Sequence, residues 1–160
     1  MSTSLELTDT EWTGVAPKYV VSQFIGLAVS AVIVVGITVL PHLFGWSFAW
    51  IITGVVVAYF VFEAAVTPRR VKSIGYALRD DDLLFKRGIL FRRIVAVPYG
   101  RMQLIDINRG PLSRALGLSD LKFVTAAASS GVAIPGIAES DAEQLRDRLV
   151  ALAESRRAGL

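Results

Sequence analysis

Closely spaced basic side chains are the residues of this 160-residue chain with the clearest chemistry. Residues 69–122 carry twelve bases and five acids. Bases close to a bilayer surface attract anionic lipid headgroups by about 1 kcal/mol each. One triplet follows the second of two long apolar runs, and two doublets flank Gly88. The candidate contacts with lipid or with a protein partner are Arg69, Arg70, Lys72, Lys86, Arg87, Arg92 and Arg93.

Each basic group also has a purely structural explanation. The triplet is typical of a signal that stops translocation and orients a membrane span. Consecutive residues of a strand point to opposite faces, so at least half of the doublet charges lie on a solvent face or at strand ends. A solvated face is therefore the alternative to a headgroup site.

Residues that would support catalysis or metal binding are scarce. The absence of cysteine excludes disulfides and thiolate ligands. His42 is the only histidine and has no acidic neighbour, so neither a metal cluster nor a Ser-His-Asp set can be assembled. Ser129 and Ser130 lie in a small-residue loop without a base to activate them, and no Gly-rich phosphate loop occurs. We expect a protein without enzymatic activity, metal or cofactor.

Two apolar runs, Val20–Leu40 and Ser47–Val66, predict a transmembrane helical hairpin. Each has about 20 residues and spans about 30 Å as a helix, the thickness of the hydrocarbon core. A helix in a soluble core rarely stays apolar on every face for so long. Their only acid is Glu63. It is either an interfacial acid that pairs with Lys18 or Arg70, or a proton- or cation-linked site.

The charges around the hairpin predict its orientation. The loop Pro41–Trp46 has no formal charge, whereas Lys18 and the basic triplet lie at the other end. The positive-inside rule then places both termini in the cytoplasm. No signal peptide is expected, because the first run is too long and no small-residue cleavage site follows it. Trp12 and Tyr19 are expected at the headgroup level.

Small residues at a spacing of four predict how the two spans pack. They are Ser22, Gly26 and Ser30 in the first span, and Gly54 and Ala58 in the second. Such residues let helix backbones approach closely. At equal depth in a hairpin centred on residue 42, Ser30 would face Gly54 and Gly26 would face Ala58. We predict that these faces meet within one chain; the alternative is a seam between chains.

After Pro68 the pattern changes to that of short antiparallel strands separated by turns. Ser113–Gly117 is expected to form one helical turn that ends at the glycine. Six or seven strands closed by a C-terminal helix predict a small barrel or sandwich. The predicted strands are Val71–Leu78, Leu83–Arg87, Ile89–Val97, Arg101–Asn108, Leu118–Thr125 and Val132–Ile134.

The last element is predicted to be an amphipathic helix. Ser140 can cap it with Glu143 as a capping box, or the acids around Ser140 can form a favourable first turn. Its apolar face is Ala142, Leu145, Leu149 and Leu152.

The segments Val97–Gln103 and Arg109–Leu118 resemble the bacterial pleckstrin-homology-like family, of the YdbS-like, membrane-flanked type. The resemblance covers about residues 19–152. It implies a transmembrane hairpin followed by a bent antiparallel barrel of about seven strands, capped by a C-terminal helix. The expected divisions are a cytoplasmic tail at 1–18, the hairpin at 19–67, the PH-like domain at 68–155 and a tail at 156–160. The signature residues are Arg101, Gln103, Gly110, Pro111, Arg114 and Gly117.

Physical roles can be given to this signature. Gly110 and Pro111 would force the chain out of the sheet, because proline cannot donate to a ladder. Arg101 and Arg114 would either hydrogen-bond loop carbonyls or nearby aspartates, or contact a ligand directly. In eukaryotic relatives that grip phosphoinositides, bases occupy the first strand–strand loop. Here that loop is Asp80–Asp82, and its acids would repel a phosphorylated headgroup.

The family resemblance implies a non-catalytic module at the cytoplasmic face of the bacterial inner (plasma) membrane. A second membrane protein is the expected partner, with a larger PH-like relative as one candidate, and anionic lipid headgroups as assisting ligands. Nucleic acid is not expected, because the domain is tethered and lacks interleaved aromatic residues. The alternative function is an accessory structural subunit of a larger membrane transport or envelope complex, docking through its spans.

Overall fold

The computed structural model describes residues 11–125 and 132–158. The predicted small-residue loop, with Ser129 and Ser130, lies outside the described residues, as does most of the predicted N-terminal tail.

The two apolar runs form helices, as predicted. Helix α1 is Lys18–Val39 and helix α2 is Ala49–Lys72, joined by a 3-10 helix at Leu40–Phe44. Gly45 takes a φ of 72° and reverses the chain. Within their most apolar 18 residues, 0% of the first span and 6% of the second are buried. Both helices are therefore long and apolar enough to cross a membrane, and neither is the buried core helix of a soluble domain.

The predicted packing face of the hairpin was wrong. Gly26, Ser30, Gly54 and Ala58 are exposed, and a Cβ atom added at either glycine would meet nothing within 4 Å. Ser22 is half-buried.

The observed contact face lies on a different side of each helix: in α1 it is one residue beyond Gly26 and Ser30, and in α2 it lies two residues to either side of Ala58. It is marked by half-buried side chains, and at its far end Thr53 Oγ1 lies 3.1 Å from His42 Nε2 and 3.4 Å from the Thr38 carbonyl. Residues at equal depth therefore follow a turn centred near residue 45, which the 3-10 helix lengthens. The contact face consists of Leu27, Ala31, Val35 and Thr38 in α1 and Thr53, Val56, Phe60 and Ala64 in α2.

Helix α2 does not end at Pro68. It continues to Lys72, so the strand expected from Val71 begins at Gly75. Thr67 is buried and its hydroxyl donates to the Glu63 carbonyl at 2.7 Å. The predicted pairing of Glu63 with Arg70 is confirmed, since their charged atoms lie 3.2 Å apart. Only two residues separate the second span from the sheet.

The N-terminal segment contributes a strand that the sequence did not predict. Strand β1, Thr13–Gly14, pairs with the first strand after the spans, with Thr13 opposite Tyr76 and Gly14 opposite Gly75. The Ala16 amide then donates to the Gly136 carbonyl at 2.9 Å. The residues before α1 and those after α2 thus belong to one folded unit at the same end of the hairpin.

The strands after the spans are β2 Gly75–Leu78, β3 Asp82–Arg87, β4 Arg93–Pro98, β5 Met102–Asn108, β6 Leu118–Thr125 and β7 Val132–Ala138. With β1, these seven described strands form two antiparallel sheets, in the orders β1-β2-β3-β4 and β5-β6-β7. A short helix α3, Pro111–Ala115, lies between β5 and β6. Strand β6 matches its prediction. The predicted Ile89–Val97 strand begins only at Arg93, and the last strand runs beyond Ile134.

Helix α4, Glu139–Ala158, closes the open side of the two sheets. Its predicted apolar face is confirmed: Ala142, Leu145 and Leu149 are buried against side chains from both sheets. Ser140 is not the cap, because the helix begins at Glu139, whose amide donates to the Gly117 carbonyl at 3.0 Å. The acidic first turn is present. The architecture is a PH-like fold attached to a helical hairpin.

Candidate functional site

The turn between β3 and β4 projects beside the end of α2. Arg87 and Arg93 are the last cross-strand pair, and Gly88–Arg92 forms the turn. Gly88 has a φ of 111°, and an added Cβ would lie 2.1 Å from the Phe91 carbonyl oxygen, so only glycine fits. The Gly88 amide donates to Ser73 Oγ at 3.2 Å. This bond fixes the turn against the residue that follows α2.

The tip of this turn is apolar and exposed. Leu90 is 89% exposed, Phe91 is 91% exposed, and Ile89 is also exposed. Two large neighbouring apolar side chains with this exposure are unusual on a soluble surface unless they mark a contact. We call Ile89–Phe91 the apolar tip.

A cavity of about 600 Å³ lies on one side of the turn. Trp12 forms part of its wall, with the Lys86 ammonium 4.0 Å from the ring centroid. Among the described residues, no acid forms an ion pair with any base of this cavity. The bases that line this basic cavity are Arg69, Lys72, Lys86, Arg87 and Arg92.

A second cavity, of about 680 Å³, lies on the other side of the turn and is mainly apolar. Its wall includes Leu90 and Phe91 from the tip and Phe62 and Val66 from α2. The tip therefore borders the same space as the last two turns of the apolar part of the second span.

Five of the seven predicted contact residues thus come together in the basic cavity. Arg70 lines the second cavity and is neutralised by Glu63. Arg93 lies outside the basic cavity's lining but directly opposite Arg87 in the ladder. Like charges directly opposite each other destabilise a sheet. An anion bound between these strands would relieve that repulsion.

Trp12, which the sequence predicts at the headgroup level, lines the basic cavity. The sequence did not predict the apolar tip, because Ile89 and Phe91 share the parity of Val95 and Val97 and the pattern indicates one strand over Ile89–Val97. A different signal was available: three large apolar residues that directly follow a glycine and are enclosed by two basic doublets. Such a segment combines an apolar surface with bases that attract an anionic one.

The signature residues have mostly structural positions. Gly117 follows α3 with a φ of 67°, as predicted for a left-handed helix end. Pro111 is the first residue of α3, after the extended Gly110, and Gln103 lies in β5. Arg101 and Arg114 are exposed, and neither makes the predicted hydrogen bonds within the described residues.

The structural arginine is Arg109 instead. Its Nε donates to the buried Ser119 hydroxyl at 3.0 Å, one terminal nitrogen pairs with Glu139, and the other lies 2.8 Å from Glu143. Arg109 thereby joins the end of β5, the start of β6 and the first turn of α4. Because Glu143 pairs with Arg109, it does not form the predicted capping box with Ser140.

The acidic turn between β2 and β3 is occupied by internal contacts. The Arg79 amide donates to the Asp82 carbonyl at 3.0 Å, and the Asp81 carbonyl accepts from the Tyr99 amide at 3.2 Å. The Tyr99 hydroxyl donates to the Arg79 carbonyl at 2.8 Å. Burial raises the pKa of Tyr99 to about 12, and the nearby Asp82 carboxylate adds to this effect. The turn is thus tied to the core, and its acids do not favour a phosphate ligand.

Among the described residues, no group of three or more His, Asp or Glu side chains could hold a metal ion. The site consists of cations, an aromatic ring and an apolar tip. Such a set can bind an anion and contact an apolar phase.

The fold and this site define a class: a PH-like domain held at the end of a hairpin that is long enough to cross a membrane. The chain belongs to the bacterial PH domain family, whose model matches residues 18–153. It is 33% identical over 131 residues to the UPF0699 transmembrane protein YdbS of Bacillus subtilis (strain 168). That alignment covers 79% of this chain and 80% of the relative. No solved structure gave a significant match.

Proposed function

We propose that this chain is a non-catalytic protein of the bacterial inner membrane whose PH-like domain is a cytoplasmic binding and scaffold module. Its ligand would be a second membrane protein, such as a larger PH-like relative, with anionic lipid headgroups assisting. The observation that supports this most directly is the double attachment of the domain. Strand β1 precedes the first span, and only two residues connect the second span to β2. The domain therefore cannot leave the membrane surface.

The charge asymmetry supports the cytoplasmic orientation. Lys18, Arg69, Arg70 and Lys72 lie at the domain end of the hairpin, whereas the loop at the other end carries no formal charge. A cytoplasmic domain satisfies the positive-inside rule. Single cysteines can check this, because the native chain has none. A cysteine at Gln144, in the domain, should react with an impermeant maleimide only after the cells are opened. A cysteine at Phe44, in the outer loop, should react in intact cells.

Site-specific photocrosslinking in cells tests the scaffold role. Leu104 is 57% exposed on β5, an edge strand of the second sheet, and is a suitable position for the crosslinker. A discrete adduct with another membrane protein is expected, and a matched position on the outer loop, Leu43, should give none. If domain positions at Leu104, Arg101 and Gln144 all give no protein adduct, the scaffold proposal is wrong.

The alternative, an accessory subunit that docks through its spans, has one observation in its favour. Gly26, Ser30, Gly54 and Ala58 are exposed in the isolated chain, and small residues at a spacing of four permit close approach of another helix. Crosslinkers at Gly54 and Ala58 separate the two functions. Protein adducts there, without any from Leu104, would favour docking through the spans.

A further inference from the structure

The depth of the apolar tip can be worked out from helix geometry. The apolar part of α2, residues 49–66, has a length of about 27 Å at 1.5 Å per residue, close to the thickness of the hydrocarbon core. Val66 therefore lies near its inner boundary, and Phe62 lies one turn deeper, by about 6 Å. Both side chains line the cavity that Leu90 and Phe91 border. The tip is thus level with the inner edge of the hydrocarbon core.

The basic cavity lies further from the bilayer centre than the tip, at the depth where lipid phosphates are found. Arg69 and Lys72 come from the last turn of α2, directly after its apolar part. Lys86, Arg87 and Arg92 come from the base of the β3–β4 turn. Trp12 adds an amphipathic ring of the kind that is enriched at membrane interfaces. The volume of about 600 Å³ falls within the usual range of about 300–1,000 Å³ for small-molecule sites.

We propose that the β3–β4 turn is a lipid-binding element of this chain. Its apolar tip inserts into the inner leaflet beside α2, and the basic cavity binds the phosphate of one anionic phospholipid. This site differs from the first strand–strand loop, which is acidic here. The proposal rests on the proposed cytoplasmic placement of the domain and adds a ligand class and a position to it.

A membrane is favoured over an acidic protein segment by the combination of charge and apolar exposure. A peptide bound in the basic cavity would leave Leu90 and Phe91 in water. A phospholipid instead matches both features. Its phosphate would lie in the basic cavity, and its acyl chains, deeper along the membrane normal, would surround the apolar tip. The hydrogen bond from the Gly88 amide to Ser73 Oγ holds the basic cavity and the apolar tip at a fixed distance from α2.

Spin labels on single cysteines measure the insertion of the tip. The full chain would be labelled at Leu90 or Phe91 and placed in nanodiscs of phosphatidylcholine with about one third phosphatidylglycerol. Val61, exposed on α2, gives the reference for lipid, and Gln144, exposed on α4, gives the reference for water. We expect oxygen to reach the tip labels and a nickel chelate to be excluded from them, as at Val61. Accessibilities equal to those at Gln144 would overturn insertion.

Native mass spectrometry of the same nanodiscs tests the headgroup site. About 1 kcal/mol per base corresponds to about a fivefold change in binding. The pair Lys86→Gln and Arg92→Gln should therefore lower the ratio of bound phosphatidylglycerol to phosphatidylcholine about 25-fold. The matched control is the pair Arg101→Gln and Arg114→Gln, which removes the same charge from exposed positions elsewhere. Equal ratios for both variants would show that the basic cavity holds no anionic lipid.

These outcomes remain separable from a failure of the scaffold proposal. Protein adducts from Leu104 do not depend on the tip, so they can persist while the tip labels stay in water. A phosphatidylglycerol preference that is unchanged by Lys86→Gln and Arg92→Gln, together with a new protein adduct from Phe91, would assign the turn to a protein partner and overturn the lipid site.

Discussion

Replacement of Arg109 should destabilise the domain through one buried contact rather than through its two ion pairs. The Arg109 side chain is 27% exposed, whereas its partners Glu139 and Glu143 are 48% and 54% exposed. Exposed ion pairs contribute about 0.2–1 kcal/mol each. Ser119, in contrast, is fully buried, and a hydrogen bond from a charged donor contributes about 1.5–3 kcal/mol. We expect Arg109→Ala to lower the free energy of unfolding by about 3 kcal/mol.

A double-mutant cycle separates these contributions. Arg109→Ala, Ser119→Ala and the double variant should show a coupling energy of about 1.5 kcal/mol, because the two residues share one buried hydrogen bond. Glu143→Gln should cost less than about 1 kcal/mol. Thermal unfolding of the full chain in detergent is a suitable assay, since 3 kcal/mol corresponds to about 6–12 °C for a chain of this size.

The matched control is Arg114→Ala. The Arg114 side chain is exposed and makes no hydrogen bond or ion pair within the described residues, so its loss should change stability by less than about 0.5 kcal/mol. The reasoning is refuted if Arg109→Ala and Arg114→Ala shift the unfolding midpoint equally. It is also refuted if Glu143→Gln reproduces the whole effect of Arg109→Ala, because the surface pair would then dominate.

Three further predictions concern the core and the spans. The pKa of Tyr99 is raised in the folded state, so its neutral hydroxyl stabilises the fold fully below pH 10, and this contribution is lost as the pH rises towards about 12. Tyr99→Phe should remove this pH-dependent loss, which is measured as the unfolding midpoint from pH 8 to 11.5. The same variant leaves the Arg79 carbonyl without its donor and should cost about 1 kcal/mol at pH 7. Gly136→Ala should cost at least about 2 kcal/mol, because φ is 65° and the new Cβ would lie 2.2 Å from the Tyr19 ring; an unchanged midpoint would contradict that contact. Gly54→Leu should leave the midpoint within about 2 °C, whereas a packing seam within the chain would predict a clear loss.

The elements with strong periodicity could be predicted from the sequence. Both spans, strand β6 and the apolar face of α4 follow directly from the spacing of their apolar residues. Strand β1 could not be found in this way, since two residues, Thr13 and Gly14, have no period. Their extended conformation depends on the open edge of β2, which exists only after the domain has folded.

The packing of the hairpin shows why small-residue spacing alone was insufficient. The spacing of Gly26 and Ser30 fits a close helix contact, but the turn decides which faces meet. The 3-10 helix Leu40–Phe44 and the left-handed Gly45 move the centre of the hairpin towards residue 45. Thr38 and Thr53 then meet at the loop end of the contact face. A spacing rule does not contain that loop geometry.

Only part of the candidate site could be predicted from the sequence, and a turn again decides the rest. The basic residues could be named because charge is visible in composition, but their grouping depends on the turn at Gly88. Because Ile89 and Phe91 share the parity of Val95 and Val97, the pattern predicts one continuous strand, Ile89–Val97, through that turn. The close approach of Gly88 to the Phe91 carbonyl ends β3, and the chain pairs again only at Arg93. A local backbone conformation, not the hydrophobic pattern, exposes the tip.

Strand β3 also explains how a domain with an acidic turn could face an anionic leaflet, as we propose. Strand β2 leaves the membrane end at Gly75, and β3 returns from the acidic turn, Asp80–Asp82, to Arg87. Six residues of strand separate the two ends by about 20 Å. That distance is about two and a half Debye lengths at physiological salt, so the acids scarcely reduce the potential at the basic cavity. The same separation gives the domain a charge gradient from the acidic turn to the basic cavity. This gradient favours the proposed orientation, with the tip towards the lipid.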